Sequence, residues 1–214
     1  MQENFHEIVM IDYGLGNLLS VKRAIQFCGF KTKITSDPKV VVKAKKVILP
    51  GVGSFQKAMD ELNKKGLTEA ITEISQKRVS ILAICLGMQL LLDESEENGI
   101  TKGLSLIPGI VKKIPEESNN IKLKVPHIGW SSFSYFNKKF KPDILNSINT
   151  SDYFYFVHSY YSILKNKDFE IAKCNYGGLQ INSIIKKNNI IGCQFHPEKS
   201  GKAGLKVLKN FCKS

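Results

Sequence analysis

Cys85 stands between two apolar runs of the sequence, residues 81–84 and residues 86–92. The first run is typical of a buried strand and the second of a buried helix. A nucleophile on a tight turn from strand to helix projects above the sheet, and the positive end of the helix favours its thiolate form. The backbone N–H of Leu86 is expected to point toward the oxyanion that attack by Cys85 would create. The alternative interpretation of Cys85 is a buried structural thiol, as many free cysteines are.

His196 and Glu198 form a second group that could take part in the same chemistry. If this segment is extended, residues two apart project to the same face, so the imidazole and the carboxylate would point into one site, with Pro197 at the strand end. The carboxylate would orient the imidazole and stabilise its charged form. The alternative is a surface histidine near a glutamate. With Cys85, the pair predicts a thiol, a base and an orienting acid brought together by the fold, a set that performs acyl transfer.

Two glycines, Gly51 and Gly53, follow the apolar run at residues 46–49. Glycine permits positive φ, so the backbone N–H groups of this turn could face an anion. Together with the N–H of Leu86, the turn would complete an oxyanion hole, in which each donor lowers the barrier by roughly 2.7–4 kcal/mol. The alternative is an ordinary turn at the end of a strand.

Other patterns in the sequence predict neither a metal nor a bound cofactor. Gly14 and Gly16 follow the first predicted strand, but Leu19 stands where a dinucleotide-binding turn needs its third glycine. No cysteine or histidine spacing is typical of a metal site, and His127 carries no recognisable signal. The five cysteines are widely spaced, which favours a reducing compartment, the cytoplasm. No run of 18 apolar residues predicts a membrane span.

The formal net charge of +12 could suggest a nucleic-acid partner, but the kind of basic residue argues against one. Of the 31 lysines and arginines, only Arg23 and Arg78 are arginines. Recognition of phosphates and base edges favours the planar fork of arginine, and the lysines here are scattered. We therefore expect a solvated lysine-rich surface, which could attract an anionic substrate or an acidic partner, and no nucleic acid.

The elements that must position these residues alternate in the first half of the chain. Apolar runs at residues 8–11, 46–49 and 81–84 predict buried strands, and helical spacing follows each of them. Gly29 is expected to end the first helix, and Ser54 is a candidate N-cap of a later one. This alternation predicts an open, mostly parallel sheet with helices on both faces.

After residue 103 the pattern changes to strand-like runs, several of them separated by turn formers. The predicted runs are residues 104–114, 126–128, 153–161, 170–175, 179–185 and 190–194. They indicate an antiparallel extension of the parallel sheet, and residues 202–211 predict a closing amphipathic helix. His158, among aromatic residues, suggests the wall of a pocket. No linker or repeat interrupts the chain, so we expect one domain over residues 1–214.

Six segments together resemble the class I glutamine amidotransferases, and within that family the glutaminase subunits that serve a cyclase in histidine biosynthesis. In chain order they are DYGLGNL at residues 12–18, LPGVGSF at 49–55, ICLGMQLL at 84–91, VPHIGW at 125–130, YFVHSYY at 155–161 and QFHPEKS at 194–200. They span nearly the whole chain. The cysteine turn and the last segment are the most specific for the family.

The resemblance implies a flavodoxin-like α/β fold and a Cys85–His196–Glu198 triad that hydrolyses glutamine. It also implies oxyanion donors at Gly51 and Leu86. The residues expected to line the glutamine pocket are Gln89, Glu97, His158, Ser159 and Tyr160, and those expected to face a partner are Asn17, Tyr155 and Lys199. The implied partner is a (β/α)8-barrel cyclase that forms a heterodimer with the glutaminase and receives ammonia through an internal tunnel.

Two positions differ from the usual family pattern. Ala83 replaces a glycine ahead of the cysteine, and Ser131 replaces an asparagine after Trp130. Alanine is small enough for the turn, so the glutaminase chemistry is expected to survive. The alternative partner is an amidotransferase that modifies a sugar of surface-polysaccharide biosynthesis, since paralogous subunits serve such enzymes. Two further alternatives are a stand-alone hydrolase with the same triad and a non-catalytic binding protein.

Overall fold

The computed structural model describes residues 8–136 and 142–214. The strands are β1 (Ile8–Ile11), β2 (Lys33–Thr35), β3 (Lys46–Leu49), β4 (Ser80–Ile84), β5 (Glu94–Ser95), β6 (Thr101–Lys102), β7 (Gly109–Lys113), β8 (Glu117–Ser118), β9 (Ile121–Lys122), β10 (His127–Ser132), β11 (Tyr135–Phe136), β12 (Tyr153–His158), β13 (Tyr160–Leu164), β14 (Glu170–Tyr176), β15 (Leu179–Lys187) and β16 (Ile190–Cys193). The α-helices are α1 (Leu18–Phe27), α2 (Pro38–Val41), α3 (Phe55–Lys64), α4 (Leu67–Gln76), α5 (Leu86–Leu90) and α6 (Gly201–Lys213). Short 3-10 helices are Asp143–Leu145, Lys167–Phe169 and Pro197–Lys199.

The central sheet has eight strands in the order β11-β14-β15-β16-β4-β3-β1-β2. Strands β2, β1, β3, β4 and β16 are parallel, which is the strand order of flavodoxin-like folds. Because β4 and β16 are neighbours, Cys85, directly after β4, and His196, three residues after β16, leave the same edge of the sheet. The predicted α/β class is confirmed, and its ligand-binding edge carries both candidate catalytic residues.

The antiparallel extension is confirmed for β14 and β15. The run at residues 190–194, predicted as part of that extension, instead forms β16, which is antiparallel to β15 but parallel to β4, so it belongs to the parallel part of the sheet. Only part of the second half joins the central sheet. Strand β15 pairs antiparallel with β14 and β16, and β14 pairs with β11. Strands β10 and β12 form a sheet of their own, whereas β13 joins β7, β5 and β6 in another. The single strand predicted over residues 153–161 is therefore wrong, because the chain leaves one sheet at Ser159 and enters another. The strand predicted over residues 104–114 starts only at Gly109.

The predicted helices are present with small shifts at their ends, whereas α2 and α4 were not predicted. Helix α1 ends ahead of Gly29, whose φ of +89° suits glycine. Ser54 occupies the N-cap position of α3 but makes no side-chain capping bond. The N–H of Phe55 instead donates to Oε2 of Glu97 at 2.7 Å. A carboxylate from a distant loop thus caps this helix, which no local pattern could indicate.

Apolar side chains fill both faces of the central sheet. Along β1, Ile8 and Met10 pack into one cluster, and Val9 and Ile11 pack into the other, as the period of two requires. Helices α1 and α6 cover the first face, and α3 and α4 cover the second. Burial on both sides is the reason that these strands are continuous apolar runs in the sequence. It also gives the loops at the strand ends a rigid base.

Candidate active site

Cys85 lies on the turn between β4 and α5, with φ 53° and ψ −110°. Positive φ is costly for a residue other than glycine and persists only where the surrounding structure enforces it. A Cβ atom on Gly87 would clash with the carbonyl group of Leu49, so α5 begins directly against the end of β3. Ala83, two residues before Cys85, is fully buried in β4. The turn therefore holds the thiol at the base of a cleft, where Cys85 is 7% exposed.

His196 and Glu198 are in direct contact. Nδ1 of the imidazole lies 2.8 Å from Oε1 of the carboxylate, and both side chains are almost fully buried. The extended geometry predicted for this segment is wrong, because His196 immediately precedes the 3-10 helix Pro197–Lys199. The tight turn, rather than a strand, brings the two side chains together. Because a carboxylate only accepts hydrogen bonds, Nδ1 carries a proton, and Nε2 is left for the thiol.

The surroundings of His196 favour its protonated form. Burial lowers its pKa, but hydrogen bonds with Cys85 and Glu198, and their charges, outweigh burial and raise the pKa to about 10. An imidazolium beside a thiolate is the state in which a cysteine attacks. Two further groups approach the sulfur: Nε2 of Gln194 at 3.7 Å and the carbonyl oxygen of Val157 at 3.9 Å. The fold thus brings the three residues of the predicted triad together.

The glycine-containing turn after β3 lies against the turn that carries Cys85. The reason why this turn needs glycine at residue 51 differs from the predicted one. Positive φ occurs at Gly53, at +95°, and not at Gly51. Gly51 is required for space, because a Cβ atom there would lie 2.6 Å from the backbone nitrogen of Gly87 and 2.7 Å from Oη of Tyr13. Of these two glycines, Gly53 alone uses the positive φ that glycine permits.

Tyr13 holds this turn in place. Its hydroxyl donates a hydrogen bond of 2.8 Å to the carbonyl oxygen of Pro50, and burial, followed by the charge of Cys85, raises its pKa well above the usual range. Val52 lines the cleft together with Leu86. The turn and the start of α5 thus flank the sulfur, as two sides of an oxyanion hole must. The donor roles of Gly51 and Leu86 stay predictions.

A cleft of about 370 Å³ opens above the sulfur. It is lined by every residue that the sequence predicted for the glutamine pocket, namely Gln89, Glu97, His158, Ser159 and Tyr160. Pro126 and Val157 line it as well. They lie in the segments at residues 125–130 and 155–161, but no role was predicted for either, because an apolar wall residue looks like any core residue. The side chains of Glu97 and Lys199 both line the cleft, and a carboxylate such as that of Glu97 suits the ammonium group of an amino acid.

A pair of buried glutamines connects the cleft wall to the nucleophile. Nε2 of Gln89 donates to the carbonyl oxygen of Tyr160 at 2.9 Å and to Oε1 of Gln194 at 3.0 Å. Gln194, whose other amide atom approaches Cys85, is fully buried. Its possible role was missed at the level of sequence, because its membership of the segment around His196 does not reveal where its side chain points.

His127, to which the sequence attached no role, lies buried beside His158. Its Nδ1 is 3.1 Å from Nε2 of His158, and its ring stacks on Phe156 and Tyr176. Burial lowers the pKa of His127 to about 4, and burial together with the neighbouring histidines lowers that of His158 to about 3. Both rings are therefore neutral at pH 7. Only the segment at residues 125–130 could have drawn attention to His127.

Two of the three residues predicted to face a partner are in contact near the catalytic cleft. Nζ of Lys199 lies 5.9 Å from the ring centroid of Tyr155, and Trp130 approaches the same ring edge-on at 5.8 Å. Trp130 and Ile128, on the outer face of β10, are more than half exposed. Asn17 is the N-cap residue of α1. A surface with exposed aromatic and aliphatic side chains is typical of protein–protein contacts.

The neutral histidine pair makes stability depend on pH in the acid range. Unfolded histidines have a pKa near 6.5, so the unfolded chain binds more protons than the folded chain as pH falls from about 6.5 toward 4. Each histidine is expected to lower the unfolding free energy by up to about 1.4 kcal/mol per pH unit there. His196, with its raised pKa, contributes its full stabilisation in this window. Urea unfolding of the wild type at pH 7 and 4.5 measures the loss.

His127→Phe is the matched control for this prediction. Phenylalanine keeps the stacked ring between Phe156 and Tyr176 but cannot take up a proton. The unfolding free energy of the variant should therefore fall less steeply with acidification than that of the wild type. Equal losses for the wild type and the variant over the same pH interval would contradict the assignment.

The fold and the site are those of a known family. A family model described as Glutamine amidotransferase class-I matches residues 9–214. The chain belongs to the class I glutamine amidotransferases. Within that family it is similar to imidazole glycerol phosphate synthase subunit HisH of Caldanaerobacter subterraneus subsp. tengcongensis, with 48% identity over 204 residues, 95% of this chain and 96% of the relative. The subunit HisH of Geobacter sulfurreducens is 43% identical over 207 residues, 96% and 97% of the two chains.

Solved structures share the fold. PurLQS from Thermotoga maritima superimposes with a TM-score of 0.71 and 16% identity, covering 96% of this chain and 97% of the other. The glutaminase domain of Trypanosoma brucei CTPS gives 0.64 and 15% identity, with coverages of 97% and 94%. Sequence identities this low support only the conclusion that the fold is shared. In the described part of the chain, no helix has the length and apolarity to cross a membrane.

Proposed function

We propose that this chain is the glutaminase subunit of an imidazole glycerol phosphate synthase, with Cys85, His196 and Glu198 as its triad. The observation that carries the proposal is the contact of a thiol with a buried imidazole that is itself held by a carboxylate at 2.8 Å. The pocket residues at the same cleft support glutamine as the substrate. The relatives described as HisH support the histidine pathway over the sugar-modifying alternative.

In the first half of the reaction the Cys85 thiolate attacks the side-chain amide carbon of glutamine. The carbonyl oxygen becomes an oxyanion, which the N–H groups of Gly51 and Leu86 would stabilise. His196 donates its Nε2 proton to the amide nitrogen as the carbon–nitrogen bond breaks. Ammonia leaves, and a γ-glutamyl thioester on Cys85 remains.

In the second half water hydrolyses that thioester. Neutral His196 takes a proton from the water, and the resulting hydroxide attacks the thioester carbon. The carbon–sulfur bond breaks, glutamate leaves, and the thiolate and imidazolium are restored. Glu198 stays ionised throughout, and keeps the imidazole in the tautomer and orientation that both halves require.

The exposed surface around Trp130, Tyr155 and Lys199 supports a partner subunit beside the cleft. We propose that a (β/α)8-barrel cyclase docks there and receives the ammonia. Asn17 belongs to the same proposed surface. Docking next to the site of ammonia release would keep ammonia out of bulk water.

Reconstitution tests the function and the partner together. Glutamate release is measured for the chain alone, with a (β/α)8 cyclase of histidine biosynthesis, and with a sugar amidotransferase synthase subunit. We expect the cyclase to accelerate release and to form imidazole glycerol phosphate, and Tyr155→Ala to weaken the complex. Lys57→Ala, an exposed lysine of α3, is the control. Equally fast turnover without any partner would favour a stand-alone hydrolase, and acceleration by the sugar enzyme alone would reassign the pathway.

A further inference from the structure

A row of hydrogen bonds joins β10 to the wall of the glutamine cleft. Oγ of Ser131 lies 3.2 Å from Nε2 of His127, Nδ1 of His127 lies 3.1 Å from Nε2 of His158, and Nδ1 of His158 lies 2.9 Å from the carbonyl oxygen of Tyr160. Both imidazoles are almost fully buried. Neither Ser131 nor His127 lines the cleft.

The carbonyl at the end of this row determines the direction of every bond in it. A carbonyl oxygen only accepts, so Nδ1 of His158 carries the proton and, in the neutral ring, Nε2 carries a lone pair. Nδ1 of His127 must then donate to that lone pair, which leaves the Nε2 of His127 as an acceptor. The hydroxyl of Ser131 is the donor that satisfies it. Burial favours the neutral rings that this assignment needs.

The carbonyl oxygen of Tyr160 also accepts a hydrogen bond of 2.9 Å from Nε2 of Gln89. That amide bonds to Oε1 of Gln194 at 3.0 Å, which turns the NH2 group of Gln194 toward the sulfur of Cys85 at 3.7 Å. The carbonyl of Tyr160 is therefore the point where the histidine row meets the glutamine pair. A displacement of this carbonyl would disturb the pocket wall and the donor on the nucleophile together.

We propose that Ser131 and His127 are positioning residues for glutamine hydrolysis, which select the His158 tautomer whose Nδ1–H holds the carbonyl of Tyr160. The proposal rests on the proposed glutaminase function. In this chain the hydroxyl of Ser131 is the donor to Nε2 of His127. Without it, the Nε2–H tautomer of His127 becomes competitive, and its Nδ1 lone pair would face the lone pair of His158. If the proton of His158 moves from Nδ1 to Nε2, this repulsion is relieved. The lone pair on Nδ1 of His158 then faces the carbonyl oxygen of Tyr160, which is also repulsive.

Tautomers can be read directly on the full chain labelled with 15N-histidine. Long-range 1H–15N spectra at pH 7 distinguish protonated from bare ring nitrogens, and single histidine replacements assign the signals. We expect the wild type to carry the proton on Nδ1 in both His127 and His158, and Ser131→Ala to shift both toward a mixture. A wild-type His158 protonated on Nε2 would overturn the proposal.

Kinetics of the reconstituted complex give the functional readout. Loss of one neutral hydrogen bond predicts that Ser131→Ala raises the KM for glutamine by about 2- to 10-fold, with ammonia-dependent synthesis unchanged. His127→Phe should have the larger effect, and His127→Asn, whose amide NH2 can replace Nδ1–H, should restore much of it. Thermal unfolding reports whether each variant is folded.

Ser132→Ala is the matched control, because Ser132 is the next residue of β10 and projects from the opposite face. If Ser131→Ala gives the same spectra and the same KM as Ser132→Ala, the proposal is wrong. Failure of the proposed function is a separate result. In that case the wild-type complex releases no glutamate, whereas the tautomers measured on the chain alone still report the direction of the hydrogen bonds.

Discussion

Replacement of Cys85 by alanine is expected to abolish glutamine-dependent synthesis in the reconstituted complex and to leave ammonia-dependent synthesis intact. The thiolate is the group that forms the bond to the amide carbon, and alanine offers no substitute. From the behaviour of other covalent triads, the loss of glutamine turnover should be about 10⁴-fold or more. Glutamate release and product formation are measured in parallel with glutamine and with an ammonium salt.

Cys28→Ala provides the control for the thiol. Cys28 is a partly exposed cysteine whose sulfur contacts the carbonyl oxygen of Leu205, so its loss should leave both activities near the wild-type level. A glutamine-directed thiol electrophile should label the wild type and this control but not Cys85→Ala. Persistent glutamine turnover in the Cys85→Ala complex would show that another group is the nucleophile.

Replacement of Glu198 by glutamine is expected to produce the second-largest loss. Glutamine keeps the size of the side chain beside His196 but removes the negative charge, and its NH2 group permits the wrong imidazole tautomer. An equivalent change in a serine triad costs on the order of 10⁴-fold in kcat, so a loss of roughly 10³- to 10⁴-fold is expected here. Steady-state kinetics of glutamine hydrolysis in the complex measure it.

The pH dependence of this variant separates a catalytic effect from a general disturbance of the fold. Glu198 is one of the groups that raise the pKa of His196 to about 10, so its neutralisation should lower that pKa. The imidazolium is then lost at lower pH, and the basic limb of the kcat/KM profile should move down the pH scale. Glu73→Gln, at an exposed ion pair of α4, is the control and should change neither rate nor profile. A Glu198→Gln profile that coincides with the wild type would refute the orienting role.

The convergence of Cys85, His196 and Glu198 has a simple physical origin. A thiol, an imidazole and a carboxylate are chemically distinct, and each follows an apolar run whose burial in a sheet is visible from composition alone. Residues that follow β4 and β16 converge because the ends of parallel strands meet at one edge of a sheet. The sequence had placed the run at residues 190–194 in the antiparallel extension, so this parallel pairing was decided by the tertiary structure. The backbone details were less accessible: the 3-10 turn after His196 and the spatial role of Gly51 depend on neighbours that lie far away in the chain.

The sequence by itself determined the α/β class and the residue types of the candidate triad, because burial on both faces of a sheet and the chemistry of single side chains are local properties. The pocket residues were implied by the family resemblance. Only the tertiary structure decided that residues 153–161 divide between two sheets and that Gln194 turns toward the sulfur. It also decided that His127 meets His158, since that contact follows from the antiparallel register of β10 with β12. Which strands pair, and in which register, depends on the summed free energy of many contacts between residues that are distant in the chain. No short segment of the chain therefore determines the pairing.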